Sequence, residues 1–112
     1  MKRYCLTVNL KNDPVLIGEY EAHHRQVWPE ITDAIKASGI VAMEIYRVGT
    51  RLFMIMETTE DFSFEQKQGM DASNPRVAEW ENLMWKYQEP LGQAAPGEKW
   101  VLMNKIFDLE AS

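Results

Sequence analysis

Residues 3–10 alternate, with Tyr4, Leu6, Val8 and Leu10 falling on one side and Arg3, Cys5, Thr7 and Asn9 on the other. A period of two over this length predicts a half-buried strand. Lys11-Asn12-Asp13-Pro14 breaks it. Asp13 is placed to cap a helix, and Pro14 sits at the first helical position, where its missing N–H costs nothing. The spacing predicts a helix from Pro14 to about Val27, with Leu16, Ile17, Tyr20 and Val27 as its apolar stripe. Pro29 interrupts, and a second helix is expected from about Trp28 to Ser38, stopped by Gly39.

Two alternating runs follow. Residues 40–48 place Val41, Met43 and Ile45 on one face and Ala42, Glu44 and Tyr46 on the other. Gly49-Thr50 is a turn, and residues 51–58 are the return strand of a hairpin, with Leu52, Met54 and Met56 opposite Phe53 and Ile55. Both faces of this pair are largely apolar, so both are expected to be covered. Residues 60–74 are polar, with Phe62 and Phe64 as anchors and a short helix expected near Phe64 to Met70. A stronger helix is expected from Pro75 to about Tyr87, burying Val77, Trp80, Met84 and Tyr87. Residues 90–97 read as a loop. Lys99 to Phe107 reads as a last strand, and Asp108 to Ser112 as a tail.

The resulting order is strand, helix pair, hairpin, helix, strand. It predicts an α+β ferredoxin-like sandwich in one domain, 1–112, with helices on one sheet face. The second apolar face then predicts a homodimer packed sheet to sheet.

Composition narrows the function classes. With 46% apolar residues and four tryptophans, the chain has the makings of a packed core. The formal charge of −5, without a cluster of Lys and Arg, argues against a nucleic-acid surface. No run approaches the roughly 20 apolar residues of a membrane span. The N-terminus reads as a strand rather than a signal peptide. The single cysteine, Cys5, excludes an internal disulfide and fits a reducing, cytoplasmic setting as a small buried hydrophobe.

Titratable chemistry concentrates in Tyr20 to Glu30, YEAHHRQVWPE. Tyr20 and His24 are four residues apart and share a helix face. An imidazole gives and takes protons near neutral pH, and a phenol donates or accepts a hydrogen bond. His23 and His24 both border the apolar stripe, so periodicity does not choose between them. They point roughly 100° apart on a helix and do not chelate one metal ion together. No HExxH, Walker-type loop or GxSxG elbow is present. Taken singly, each group also has an ordinary role: a hydrogen-bonded histidine, a core tyrosine, packing tryptophans. Together, aromatic rings and a few polar groups suit a sugar, whose C–H face stacks on indole.

The run Tyr20-x3-His24-x3-Trp28-Pro29-Glu30, the strands MEIYR and LFMIMET, and a tryptophan-bearing helix before a last strand resemble the L-rhamnose mutarotase family over nearly the whole chain. The resemblance implies a dimeric α/β barrel that interconverts the anomers of a 6-deoxy-L-sugar with no cofactor; the histidine geometry above already argues against a metal. It selects His24, four residues before Trp28, as the acid/base group. It implies Tyr20 and Trp80 as substrate-binding residues. Two positions depart from the family. Met43 stands where a tyrosine is usual. Glu81 replaces the second of two adjacent tryptophans, and is itself placed to accept bonds from sugar hydroxyls. A strand like MEIYR and a helix like EWE are similar to L-fucose mutarotases, so the expected substrate is L-fucose, or a related 6-deoxy or pentose sugar, ahead of L-rhamnose. Ferredoxin-like dimers also act as ligand binders, haem-handling proteins and cofactor-free monooxygenases, so fold alone decides nothing.

Overall fold

The chain adopts the expected order of elements in a computed structural model that describes residues 1–110. Strand β1 (Lys2–Leu10) is followed by helices α1 (Pro14–Arg25) and α2 (Pro29–Ala37) and a hairpin of β2 (Ile40–Val48) and β3 (Arg51–Thr58). Helices α3 (Phe64–Ala72) and α4 (Pro75–Trp85) come next, then the short strands β4 (Gln88–Glu89) and β5 (Val101–Leu102). The sheet is antiparallel with order β2-β3-β1-β4, and β5 also pairs with β1. This is the strand order of a ferredoxin-like sandwich, with its fourth position shared by two short strands.

Local chemistry explains the boundaries. Asp13 accepts from the amides of Val15 and Leu16 at 2.9 and 3.3 Å, which caps α1 with Pro14 as its first residue. The helix ends at Arg25 rather than near Val27. A residue before proline is pushed out of the helical region, and Trp28 before Pro29 has φ −57° and ψ 134°. Gly39 follows α2 at φ +99°, a conformation that a side chain would strain, and a Cβ there would lie 3.0 Å from Thr59 Oγ1.

Val8, Leu10 and Leu52 form one core with Tyr20, Ile31, Val77, Trp80, Met84 and Tyr87. Leu6, Ile40, Met54, Met56 and Phe62 form another, and Trp100 packs against both. The helices therefore cover the sheet face that carries Leu6, Val8, Leu52 and Met54. The outer face, with Cys5, Phe53 and Ile55, is half-buried, so Cys5 is not the buried hydrophobe expected.

Two strands differ from the sequence reading. A bulge between Ile40 and Ala42 shifts the β2 register. Ile40 rather than Val41 then joins the inner face, and Val41 is 54% exposed. The last strand was expected over Lys99–Phe107, but only Val101 and Leu102 pair, with Thr7 and Leu6. Met103 N–H still donates to Cys5 O at 2.8 Å. Beyond it the chain finds no further strand partner within the described residues, and Ile106 and Phe107 are 96% and 69% exposed. The pairing of Gln88–Glu89 with Leu10 and Asn9 is too short to leave a periodic signal. Ala111 and Ser112, the end of the expected tail, lie outside the described residues. Among the described residues no helix is long and apolar enough to cross a membrane.

Candidate active site

The last two turns of α1 lie over the inner face of the hairpin, and a hollow of about 450 Å³ opens between them. That is within the size range of small-molecule sites. Tyr20, Glu21, His24 and Arg25 border it from α1, and Ile45, Tyr46, Arg47 and Leu52 from β2 and β3. The register explains the lower wall. Ile45 is paired with Met54, and Arg47 with Leu52, so both lie on the face that carries the core. A smaller hollow of about 280 Å³, among Met1, Lys2, Arg3, Glu57 and Lys105, is lined by no histidine or tyrosine.

His24 is fixed on three sides. Its Nδ1 lies 2.9 Å from the Tyr20 carbonyl oxygen. A carbonyl only accepts, so Nδ1 carries the proton and Nε2 holds the lone pair of the neutral ring. Tyr20 lies against the imidazole with centroids 4.3 Å apart and planes tilted by 34°. Trp80 meets it edge-on at 5.5 Å. Among the described residues Nε2 has no protein partner, and it is not a buried orphan. Burial lowers the His24 pKa below its ordinary 6.5, against the opposing effect of the Tyr20 carbonyl, and the neighbouring His23 adds to the lowering.

The Tyr20 phenol is buried, and its pKa is pushed up to about 12, chiefly by desolvation, with the Glu81 charge a smaller contribution. It therefore stays protonated. Gln88 donates to its oxygen at 3.3 Å, which leaves the phenol hydrogen available. Among the described residues Gln88 Oε1 is buried without a partner.

His23 turns elsewhere. Its Nε2 lies 3.1 Å from the Tyr87 hydroxyl, which donates to Glu19 Oε1 at 3.1 Å. With the phenol proton committed to Glu19, His23 Nε2 is the donor. His23 does not border the hollow.

The structure thus brings Tyr20 and His24 together at the hollow. Trp80 stands behind His24 at 7% exposure, packed also on Trp28 at 5.1 Å. Neither Trp80 nor Glu81 borders the hollow; Glu81 is ion-paired with Lys99. Glu21, Arg25 and Arg47 were not singled out from the sequence. A signal existed: Arg47 continues the inward set of Met43 and Ile45, where a charge is out of place unless it faces an opening. Among the described residues no group of three His, Cys, Asp or Glu could hold a metal ion.

Comparison with known proteins places the chain. The sequence model described as L-rhamnose mutarotase matches residues 3–109. An L-fucose mutarotase of Xanthomonas campestris pv. campestris is 43% identical over 97% of this chain and 89% of its own length. A UPF0734 protein of Dictyostelium discoideum is 36% identical over 97% of this chain and 90% of its own. In structure the chain is similar to L-rhamnose mutarotase from Formosa agariphila, with a TM-score of 0.72 at 18% identity, covering 97% of this chain and 99% of that one. It is also similar to tetracenomycin F2 cyclase from Streptomyces glaucescens, with a TM-score of 0.68 at 14% identity over 96% and 98% of the two chains. Those two likenesses concern the fold; the family match and the 43% identity concern the sequence, and together they show that the chain belongs to the L-rhamnose mutarotase family.

Proposed function

We propose that the protein is a sugar mutarotase, an isomerase that interconverts the α and β anomers of a 6-deoxy-L-sugar, with L-fucose preferred to L-rhamnose. The observation that carries the reading is the imidazole of His24, which borders the hollow with its Nδ1 spent on a carbonyl and its Nε2 without a protein partner among the described residues. As the ring bond between C1 and the ring oxygen breaks, Nε2 accepts the proton of the anomeric hydroxyl and C1 becomes a carbonyl. The ring oxygen takes up a proton, from the imidazolium or from water. The aldehyde turns about the C1–C2 bond and recloses on its other face, with the proton transfers reversed. Such a positioned acid/base contributes about 10²–10⁴-fold. Tyr20, protonated throughout, donates to a sugar oxygen. Trp80 offers its edge to the imidazole and holds it upright. Glu81, ion-paired with Lys99, stands outside the hollow.

The L-fucose preference rests on the 43% identical relative and on Met43 and Glu81, where the family pattern has a tyrosine and a tryptophan. NMR exchange between anomeric protons, run side by side on L-fucose and L-rhamnose, tests it. Faster enzyme-dependent exchange for L-fucose is expected; equal or reversed rates would overturn the preference.

We further propose a homodimer. The exposed apolar arm at Met103, Ile106 and Phe107 and the half-buried outer sheet face with Phe53 and Ile55 are apolar surfaces that a second copy would cover.

A further inference from the structure

Arg47 and Glu21 face each other across the mouth of the hollow, one from β2 and one from α1. Arg47 Nε lies 3.3 Å from Glu21 Oε2, and Arg47 Nη1 donates to Gly49 O at 2.8 Å. The hairpin turn, with Gly49 at φ +58°, supplies that carbonyl and fixes the guanidinium before any ligand arrives. A guanidinium has five N–H donors in a rigid fork, and a carboxylate only accepts. Two of those donors are used. Among the described residues Arg47 Nη2 and Glu21 Oε1 have no protein partner.

We propose that Glu21 and Arg47 form the specificity element of the site, binding two adjacent hydroxyls of a neutral sugar. One hydroxyl donates to Glu21 Oε1. The neighbouring oxygen accepts from Arg47 Nη2. The carboxylate beside the guanidinium takes up the charge that an anionic ligand would need, so the pair suits a neutral diol over a sugar acid. Held about the rim, the diol leaves the rest of the ring free to approach His24. This inference rests on the mutarotase reading for the identity of the ligand, and not for the contact itself.

The test is a titration calorimetry series with L-fucose and its monodeoxy analogues, on the wild type and on Arg47→Met, Arg47→Lys and Glu21→Gln. Losing a hydrogen bond to a charged group weakens binding roughly 10- to 100-fold. Arg47→Met is expected to weaken L-fucose binding by that factor. Arg47→Lys is expected not to restore it, because the fork is lost. The half-saturating concentration for anomer exchange rises in parallel, and the rate at saturation falls far less. The decisive pattern is in the analogues. The deoxy sugar lacking the oxygen held by Arg47 pays the penalty on the wild type and none on Arg47→Met, beyond that of L-fucose itself, and the one lacking the hydroxyl held by Glu21 pays less on Glu21→Gln than on the wild type. Equal L-fucose affinity in wild type and Arg47→Met, or deoxy penalties that are the same in wild type and Arg47→Met for every analogue, overturns the proposal. Both side chains are on the surface, and an exposed ion pair adds little to folding, so the variants remain folded. Wild-type protein that binds sugar with this pattern yet leaves anomers unexchanged would overturn the proposed reaction and keep this site. Wild-type protein that binds no sugar overturns both.

Discussion

His24 and His23 are adjacent in sequence and differ in their surroundings: His24 borders an open hollow, whereas His23 Nε2 meets the Tyr87 hydroxyl. That difference is invisible to helical periodicity, which puts both at the edge of one stripe. The resemblance to the family pointed to His24; the tertiary packing of α1 on α4 and β4 supplies the physical reason. Burial also sets a pH signature. An unfolded histidine takes its proton near pH 6.5, whereas folded His24 takes it lower. The exchange rate should therefore hold as pH falls through 6.5 and drop only below it, as Nε2 protonates. A pH–rate profile checks this; an acid limb centred at or above 6.5 would contradict it. The same shift makes folded protein lose stability as pH falls below about 6.5, since the unfolded chain then binds more protons. Met43 was legible as a departure from the family but not as a contact. Arg47 was legible as a charge on the inward face of its strand, but its pairing with Glu21, 26 residues away, was not.

At the scale of elements, caps and breakers in the sequence were reliable where a single residue decides the backbone. Asp13-Pro14, Asn74-Pro75, Gly39 and the Gly49 turn all act as their chemistry requires. The pattern failed where the outcome depends on a distant partner. The bulge at Ile40/Ala42 turns Val41 out to solvent, and two residues of β4 take up part of the edge of β1. The cap of α1 matters for function, since that helix carries Tyr20, Glu21, His24 and Arg25 to the site. Asp13→Ala removes the acceptor for two amides and should cost about 1 kcal/mol. Thermal unfolding should show a lowered Tm, with anomer exchange per folded molecule largely preserved. An unchanged Tm would mean that the cap contributes nothing.

The whole molecule leaves one feature unaccounted for by a single copy: a C-terminal arm that was expected to be strand as far as Phe107 and pairs only as far as Met103. The alternation predicted a strand as far as Phe107, and that expectation fails beyond Met103, because a period of two does not by itself supply the edge partner that a strand needs. Ile106 and Phe107 in water are costly, and a second copy is the proposed cover. Sedimentation equilibrium at micromolar concentration should give a dimer, and Ile106→Asp with Phe107→Asp should shift it toward monomer. A wild-type monomer would contradict the proposed assembly. The outer sheet face and the arm would then need another explanation.

The central claim is that one imidazole moves the proton. NMR exchange between the anomeric protons of L-fucose, compared for wild type, His24→Ala and His23→Ala, tests it most directly. The account predicts a fall of about 10²–10⁴-fold for His24→Ala, with fold and sugar binding retained, and a nearly wild-type rate for His23→Ala. A wild-type rate in folded His24→Ala, or an equal loss in both variants, would contradict it.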